Sequence, residues 1–248
     1  LTSSSGEDSD SYTLDLLLGA SDIEGDALSV DFDSVVVSGN DVGIIIEDDG
    51  KLVVNPGDYA YLNADTSEVV TYTYTIQDNV GGSTQQSATI TITGADDVPN
   101  ISGAVEGVVT EDTSVVDGQL VTSGTLTIDD VDDGESVFQA GTINGDYGSL
   151  TIDPDGHWTY TVENDSDVVQ ALGSNDTLVD TITVLSADNT PKTIEITING
   201  ENDSPTASVL TSSSGEDSDS YTLDLLLGAS DIEGDALSVD FDSVVVSG

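Results

Sequence analysis

The chain has 248 residues and a formal net charge of -47, because 49 acidic residues face only Lys51 and Lys192. This charge excludes nucleic acid and direct membrane contact, since phosphate backbones and anionic lipids would be repelled. The absence of cysteine excludes disulfides and Cys-ligated zinc. Divalent cations are the expected counter-ions, and an acidic surface adapted to high salt is the alternative.

A perfect internal repeat dominates the sequence. Leu1–Gly39 recurs without a change as Leu210–Gly248, at an offset of 209 residues. Such a copy indicates recent duplication and predicts that the chain is a segment of a longer tandem array. The period divides into two units of about 100 residues. We predict domains at 1–97 and 98–204, followed at 205–248 by an incomplete start that supplies two or three strands.

The predicted elements, in chain order, are short strands in which apolar and polar residues alternate. The clearest segments are 71–76, 149–152, 157–162 and 180–185. Asp153–Gly156 joins the second and third as a hairpin turn, and 168–172 is expected to form one helical turn. Short strands bounded by Gly, Asp and Asn predict an all-β chain of tandem immunoglobulin/cadherin-like β-sandwich domains, each with about seven strands and Greek-key topology.

Two similar junctions end the predicted units. The first junction is Ala95–Asn100 and the second is Gly200–Pro205, and each follows an alternating strand. Each junction carries acidic residues and a proline. Because proline restricts the backbone, we expect short, stiff connectors between the domains.

Acidic residues also cluster at matching places within the units. The early clusters are Glu7-Asp8, Glu111-Asp112 and Glu216-Asp217. The turn clusters are Asp22–Asp26, Asp129–Gly134 and Asp231–Asp235, and the late ones are Asp78-Asn79 and Asp188-Asn189. A D-x-[DE] turn presents two carboxylates on one side, and Ca²⁺ takes about 6–8 oxygen ligands. A single such turn could be merely solvated, but recurrence in two differing units favours calcium sites.

These motifs resemble those of tandem-repeat bacterial adhesins of the RTX type. Residues 1–97 resemble a bacterial cadherin-like domain through Glu7-Asp8, Ala20–Leu28, Tyr72–Asp78 and Thr91–Asp97. Residues 99–205 resemble a VCBS repeat through Gly124–Asp132, Gly148–Val162, Val169–Leu172 and Ile198–Asp203. The resemblance implies that Ca²⁺ binds at the junctions.

The resemblance also implies a ligand set for each junction. For the first junction the set is Glu7, Asp96, Asp97, Asp130, Asp132 and Asp188. For the second junction it is Glu111, Asn202, Asp203, Asp231 and Glu233. Four further residues would face a junction preceding this chain: Asp22, Glu24, Asp26 and Asp78.

The function that these patterns predict is structural. We expect tandem domains, made rigid by Ca²⁺, that project the distal binding domain of a bacterial surface adhesin. The partners of each domain would be the neighbouring repeats of the same chain, and the protein would be monomeric. It would be extracellular, at the bacterial cell surface, and secreted by a type I system. The alternative is a glycan- or protein-binding module with aromatic platforms at Tyr59, Tyr61, Tyr147 and Trp158, although core packing is favoured for each. An enzyme is not expected, because the chain has no arginine, a lone His157 in a turn and no nucleophile motif.

Overall fold

The fold was analysed in a computed structural model, which describes residues 1–215, 219–243 and 245. Glu216 and Asp217, part of the third early cluster, lie outside the described residues. The chain forms two compact units. Unit 1 consists of Leu1–Ile101, Ile128–Val137 and Ser186–Thr190, and unit 2 consists of Ser102–Thr127, Phe138–Leu185 and Pro191–Gly248. Two loops from the second half of the chain therefore pack within unit 1.

The strands of residues 1–93 form two sheets of unit 1. They are β1 (Thr2–Gly6), β2 (Tyr12–Asp15), β3 (Leu28–Ser38), β4 (Ile44–Ile46), β5 (Lys51–Val54), β6 (Ser67–Asp78) and β7 (Ser83–Thr93), with a 3₁₀ helix at Pro56–Tyr59. One sheet has the order β1-β7-β6-β3 and the other β2-β5-β4. β1 runs parallel to β7, whereas β6 pairs with β7 and β3 antiparallel.

The core of unit 1 lies between these two sheets. In β6, the alternation predicted for residues 71–76 buries Tyr72, Tyr74 and Ile76 on one face. Leu52 and Val54 of β5 are fully buried in the same hydrophobic cluster. The period of two thus places one face of each sheet against the other, as a β-sandwich requires.

The strands of residues 100–199 form a second pair of sheets. They are β8 (Asn100–Gly103), β9 (Glu106–Thr110), β10 (Gln119–Asp129), β11 (Gly141–Asn144), β12 (Ser149–Ile152), β13 (His157–Glu163), β14 (Thr177–Leu185) and β15 (Pro191–Asn199). The sheet orders are β11-β12-β13-β10-β8 and β14-β15-β9. The chain passes from one sheet to the other between β8 and β9, between β9 and β10 and between β13 and β14. β9 runs parallel to β15, and the predicted hairpin joins β12 to β13.

Trp158 marks the core of unit 2. Its side chain is buried, and its indole N–H donates to the Ala104 carbonyl at 2.9 Å. Two glycines make room for the ring, because a Cβ at Gly107 or Gly124 would lie about 3 Å or less from it. The buried face of β15 supplies Ile194, Ile196 and Ile198. The prediction of an all-β chain with tandem β-sandwich domains is confirmed.

The single helical turn predicted over residues 168–172 corresponds to a hydrogen-bonded turn that does not extend into a helix. The N–H groups of Val169 and Gln170 both donate to Ser166 O, and the Leu172 N–H donates to Val169 O, all at 3.0 Å. Forming a first helical turn fixes several backbone dihedrals for one hydrogen bond. Gly173 follows immediately, so no further turn offsets that cost.

The described part of residues 205–248 has little regular structure. It contains β16 (Thr206–Ala207) paired with β17 (Ala229–Ser230) and a 3₁₀ helix at Phe241–Ser243. β1 and β3 have no strand counterpart among the described residues of the repeat copy. The same amino acids therefore form strands in one place and irregular chain in the other.

Candidate metal centres

Glu7 is positioned beside the first junction by strand pairing. Its backbone N–H donates to Thr93 O at 3.0 Å, which continues the β1–β7 ladder past the end of β1. The side chain is 2% exposed. Its Oε1 accepts the Ala95 N–H at 2.6 Å, whereas Oε2 is buried without a hydrogen-bond partner among the described residues. A buried carboxylate oxygen without a donor is a polar group whose bonding capacity a bound cation could satisfy.

The turn after β10 supplies the facing carboxylates. Asp130 Oδ1 accepts the Asp132 N–H at 3.0 Å, and Asp132 Oδ2 accepts the Asp97 N–H at 2.9 Å. Asp132 is 2% exposed. Among the described residues, the second oxygen of each aspartate, Asp130 Oδ2 and Asp132 Oδ1, is buried and accepts no hydrogen bond. The local D-x-D turn therefore leaves two oxygens available to a ligand.

These side chains form two overlapping groups. Carboxylate oxygens of Glu7, Asp97 and Asp132 lie within 4.8 Å of one another, and so do those of Asp96, Asp132 and Glu135. Both groups lie in unit 1 and share Asp132. Up to five carboxylates thus converge on one region, which fits a hard cation that prefers oxygen ligands.

In the absence of a cation, burial and mutual repulsion disfavour the ionised forms of the carboxylates at the first junction. Burial raises the pKa of Glu7, and the charges of Asp132 and Asp97 raise it further, against the hydrogen bond from Ala95. Burial likewise raises the pKa of Asp97, with added repulsion from Asp132 and Asp8. Both carboxylates are harder to ionise than usual, because like charges face each other in a partly desolvated site. A divalent cation would reverse both effects.

Glu135 was missed by the sequence reasoning. Asn63 binds it through its side-chain amide, which also donates to Asp133 O at 3.1 Å. The Asp133 N–H in turn donates to Tyr61 O at 3.1 Å. Glu135 directly follows the acidic turn, so proximity in sequence was the available signal. The loop–loop contacts that orient it required the tertiary structure.

Asp188 behaves differently from the other residues predicted for the first junction. Its carboxylate accepts hydrogen bonds from the Ser186 hydroxyl and from the Thr190 hydroxyl, the latter at 2.6 Å. Burial raises its pKa, but these hydrogen bonds outweigh that effect and leave the pKa below its usual range. Asp188 lies in unit 1 but in neither group of three.

The second junction repeats the hydrogen-bond pattern within unit 2, but its described carboxylates form no group of three whose oxygens lie within 4.8 Å of one another. Glu111 is 1% exposed and accepts the Glu201 N–H at 3.3 Å, as Glu7 accepts that of Ala95. The Asp203 N–H donates to Glu233, whose Oε2 is buried and unpartnered among the described residues. Glu233 therefore occupies the role of Asp132.

The repulsion at the second junction also matches the first. Burial raises the pKa of Glu111, and Asp203, Asp112 and Glu233 add to it against the Glu201 hydrogen bond. Burial raises the pKa of Asp203, together with the charges of Asp112, Glu233 and Asp231. Asn202 contributes no charge, and its side-chain amide donates to Asp203 O at 2.7 Å. Four of the five residues predicted for this junction, Glu111, Asp203, Asp231 and Glu233, are thus carboxylates linked by mutual repulsion.

The four residues predicted to face a preceding junction are only partly brought together. Asp22 and Asp78 line one surface cleft of unit 1. Asp22 Oδ1 accepts the N–H groups of Glu24 at 2.8 Å and Asp26 at 3.1 Å. Hydrogen bonds from the N–H groups of residues 80, 82 and 81 hold the pKa of Asp78 below its usual value. Glu24 is exposed and Asp26 is half-buried, and both lie outside the cleft lining.

The other candidate groups have structural explanations. His157 is exposed in the hairpin turn, where its Nδ1 lies 3.1 Å from Asp153 Oδ2. Asp153, Asp155 and His157 form a third group of potential ligands, but all three are exposed. Tyr59 and Trp158 are buried, so neither offers an aromatic platform. No helix in the described part of the chain is long and apolar enough to span a membrane.

Family models match most of the chain. Residues 1–93 match the model described as cadherin-like domain, and residues 96–200 match the bacterial cadherin-like domain. The chain carries cadherin-like repeats in tandem. Such domains are extracellular, typically non-enzymatic modules that generally bind Ca²⁺ at interdomain linkers. The VCBS and RTX assignments remain predictions.

Solved cadherin structures are similar to the chain at low identity. Protocadherin gammaB7 EC3-6 has 13% identity and a TM-score of 0.41, with 83% of this chain and 48% of that chain covered. Drosophila N-cadherin EC1-4 has 13% identity and a TM-score of 0.34, with 83% and 49% covered. Mouse cadherin-23 EC22-24 has 16% identity and a TM-score of 0.36, with 69% and 56% covered. This chain spans about half the length of the first of these structures. A search among curated proteins found no match.

Proposed function

We propose that this chain is an extension segment of a bacterial surface adhesin, in which Ca²⁺ makes the junctions between tandem domains rigid. The observation that carries the proposal is the recurrence of one arrangement at both junctions. An early glutamate accepts the backbone N–H of the junction, and an acidic residue of the following turn accepts a second N–H two residues later. Among the described residues, three buried carboxylate oxygens are without donors at the first junction and one, Glu233 Oε2, at the second.

In this proposal, Glu7, Asp96, Asp97, Asp132 and Glu135 hold Ca²⁺ at the first junction. When bound, Ca²⁺ supplies positive charge and oxygen coordination, and it carries out no reaction. The chain itself positions the ligands before any ion binds, because the carboxylates of Glu7 and Asp132 accept hydrogen bonds from backbone N–H groups of the junction. Extracellular modules bind Ca²⁺ at about 10⁻⁴–10⁻³ M, so sites of this kind would be filled outside the cell.

The mechanical consequence follows from charge. Without a cation, the carboxylates of the first junction repel one another, and the segments that carry them are held together against that repulsion. With Ca²⁺, the same carboxylates bind one centre and hold 95–97 to the turn at 130–135. Many such domains in series would project a distal binding domain away from the cell. The neighbouring repeats of the same chain are then the partners, and the segment acts as a monomer.

Asp132→Asn tests the proposal, because it removes one charge shared by both groups and keeps an acceptor for the Asp97 N–H. In EDTA, the variant should unfold at a temperature equal to or above that of the unmodified chain, since repulsion is reduced. In Ca²⁺, it should lose most of the calcium-induced gain in melting temperature and in scattering-derived rigidity. Mg²⁺ should substitute poorly, because it demands stricter octahedral geometry.

The matched control is Asp153→Asn, which alters the exposed group in the hairpin turn. We expect it to retain the full calcium response. The proposal is contradicted if calcium changes neither the melting temperature nor the maximum dimension of the unmodified chain. It is also contradicted if the two variants respond equally.

A further inference from the structure

The early glutamates of the two units differ in how the protein satisfies their carboxylate oxygens. Glu7 Oε1 accepts the Ala95 N–H, and Glu7 Oε2 accepts no hydrogen bond among the described residues. Glu111 has a donor for each oxygen, because the Glu201 N–H donates to Oε2 at 3.3 Å and the side-chain amide of Gln170 donates to Oε1 at 2.8 Å. Glu7 is 2% exposed and Glu111 is 1% exposed, so water is a poor substitute donor for either carboxylate.

The Gln170 amide also faces the rest of the early cluster of unit 2. Its Nε2 lies 3.1 Å from Asn164 O and 3.5 Å from Asp112 Oδ1. Asn164 supports the same cluster, because its side-chain amide donates to Asp112 Oδ1 at 2.7 Å. Both carboxylates of Glu111-Asp112 therefore accept hydrogen bonds from side-chain amides, which stabilise the ionised forms without adding a charge of their own.

The turn that carries Gln170 has a counterpart in unit 1. The Leu172 N–H donates to the carbonyl of residue 169, and the Leu62 N–H donates to that of residue 59, both at 3.0 Å. Four residues after each leucine, a carbonyl accepts the N–H of the glycine that directly follows β15 or β7, at 3.0 Å in both cases. The two turns thus correspond residue by residue, and Ala60 stands where Gln170 stands in unit 2.

Alanine has no side-chain donor, so nothing at the place of Ala60 can satisfy Glu7 Oε2 as Gln170 satisfies Glu111 Oε1. Among the described residues, the unpartnered buried oxygens differ accordingly, with three at the first junction and Glu233 Oε2 at the second. The first junction leaves its early glutamate open to a cation, and the second supplies an amide in that place.

We propose that the Gln170 amide competes with Ca²⁺ for Glu111, so that the second junction binds Ca²⁺ more weakly than the first. This inference rests on the proposed function, in which Ca²⁺ binds at both junctions. An ion that uses Glu111 Oε1 must first displace the amide, whereas Glu7 Oε2 is open without any displacement. A surface cleft lined by Gln170 and Asp203 gives the displaced side chain room to move.

The size of the effect follows from the hydrogen bond that is lost. A hydrogen bond to a charged group changes an equilibrium constant by a factor of about 10 or more. Gln170 is half-buried, so we expect the lower end, a Ca²⁺ affinity reduced about 10-fold. The first junction then fills before the second as the Ca²⁺ concentration rises. Without Ca²⁺, the second junction is the less dependent of the two, because its early glutamate keeps two donors.

A Ca²⁺ titration followed by NMR resolves the two junctions in the intact chain. The reporters are the backbone amides of Ala95 and Glu201, which donate to the two early glutamates. In the unmodified chain, the midpoint for Glu201 should lie at a Ca²⁺ concentration about 10-fold above that for Ala95. Asn202 also lacks the charge of its counterpart Asp96, so substitutions are needed to isolate the contribution of Gln170.

Two reciprocal substitutions exchange the amide between the junctions. Gln170→Ala gives the second junction the alanine of the first, and it should lower the Glu201 midpoint about 10-fold without moving that of Ala95. Ala60→Gln supplies an amide beside Glu7 and should raise the Ala95 midpoint alone. The matched control is Gln119→Ala, which removes a 2.9 Å hydrogen bond from a glutamine amide to Glu163 elsewhere in unit 2. It should move neither midpoint.

Melting in EDTA provides a readout that requires no Ca²⁺. Gln170→Ala should lower the melting temperature of the calcium-free chain by about 2–4 °C, because Glu111 then keeps only one donor in a buried site. The Gln119→Ala control should lower it less, since its hydrogen bond is exposed. An equal effect of the two variants in EDTA would contradict the role given to the Gln170 amide.

The outcomes separate this inference from the proposed function. A chain that binds no Ca²⁺ at either junction contradicts both. If both junctions bind Ca²⁺ and Gln170→Ala leaves the Glu201 midpoint unchanged, the inference alone is overturned, because the amide does not compete with the ion. A Glu201 midpoint that rises in Gln170→Ala also overturns it, since Gln170 would then be a ligand of Ca²⁺.

Discussion

Asp180 is expected to be the most important polar side chain for the stability of unit 2. It lies in β14, is 0% exposed and accepts four hydrogen bonds through its two carboxylate oxygens. Three come from consecutive N–H groups of the loop at 146–148, at 2.8, 3.2 and 3.1 Å. The fourth comes from the Tyr160 hydroxyl at 2.8 Å. One carboxylate thus holds the whole loop between β11 and β12.

Asp180→Ala should lower the free energy of unfolding of unit 2 by about 3–5 kcal/mol. Hydrogen bonds to a charged group contribute about 1.5–3 kcal/mol each. Their sum is not reached, because the loop at 146–148 lies near the surface and its N–H groups can be hydrated after it shifts. Tyr160→Phe removes only one of the four bonds and should cost about 1–2 kcal/mol.

Trp158 makes the measurement specific to unit 2. It is the single tryptophan of the chain and is buried in that unit. Denaturant unfolding followed by its fluorescence, at fixed calcium concentration, gives the change in unfolding free energy. Asp155→Ala, at an exposed position of the hairpin turn, is the control and should change stability by less than about 0.5 kcal/mol.

A loss below about 1 kcal/mol for Asp180→Ala would refute the reasoning, because the four hydrogen bonds would then contribute no more than one ordinary bond. A loss equal to that of Tyr160→Phe would locate the contribution in the hydroxyl contact alone. The loop at 146–148 would in that case be held by other contacts.

Three further predictions concern pH, packing and the calcium sites. Burial raises the pKa of Asp180, but its hydrogen bonds outweigh that effect and lower the pKa in the folded state. The ionised Asp180 carboxylate therefore stabilises the folded state fully above the unfolded-state pKa of about 3.9, and this stabilisation is lost as the pH falls through the folded-state pKa. The loss of unfolding free energy caused by Asp180→Ala should accordingly be smaller when denaturation is repeated near pH 3. Gly124→Ala should destabilise unit 2 by about 1–3 kcal/mol, because the new Cβ would lie 2.5 Å from the Trp158 ring; a melting temperature unchanged from that of the unmodified chain would contradict this. Asp22→Asn should leave the calcium-induced gain in melting temperature unchanged, because the predicted ligand grouping assigns Asp22 to neither junction of this chain. A loss like that of Asp132→Asn would contradict this grouping.

Much of the candidate site could be predicted from the sequence because its turns are local. The D-x-D and D-x-E turns form hydrogen bonds between residues two to four positions apart. The junction acids follow directly from the ends of alternating strands. Glu135 and its support by Asn63 could not be predicted in this way, because that contact joins residues 72 positions apart.

The repeat separates what the sequence by itself determined from what only the tertiary structure decided. In both copies, an aspartate oxygen accepts the N–H four residues later, at 3.1 Å for Asp22 and 3.0 Å for Asp231. Leu16 is 1% exposed and Leu225 is 50% exposed, although their sequence neighbours are identical. A turn closes on its own backbone, so its sequence is sufficient. A strand needs a partner edge and a buried face needs an opposing sheet. Among the described residues, β7 and β5 provide these for the first copy.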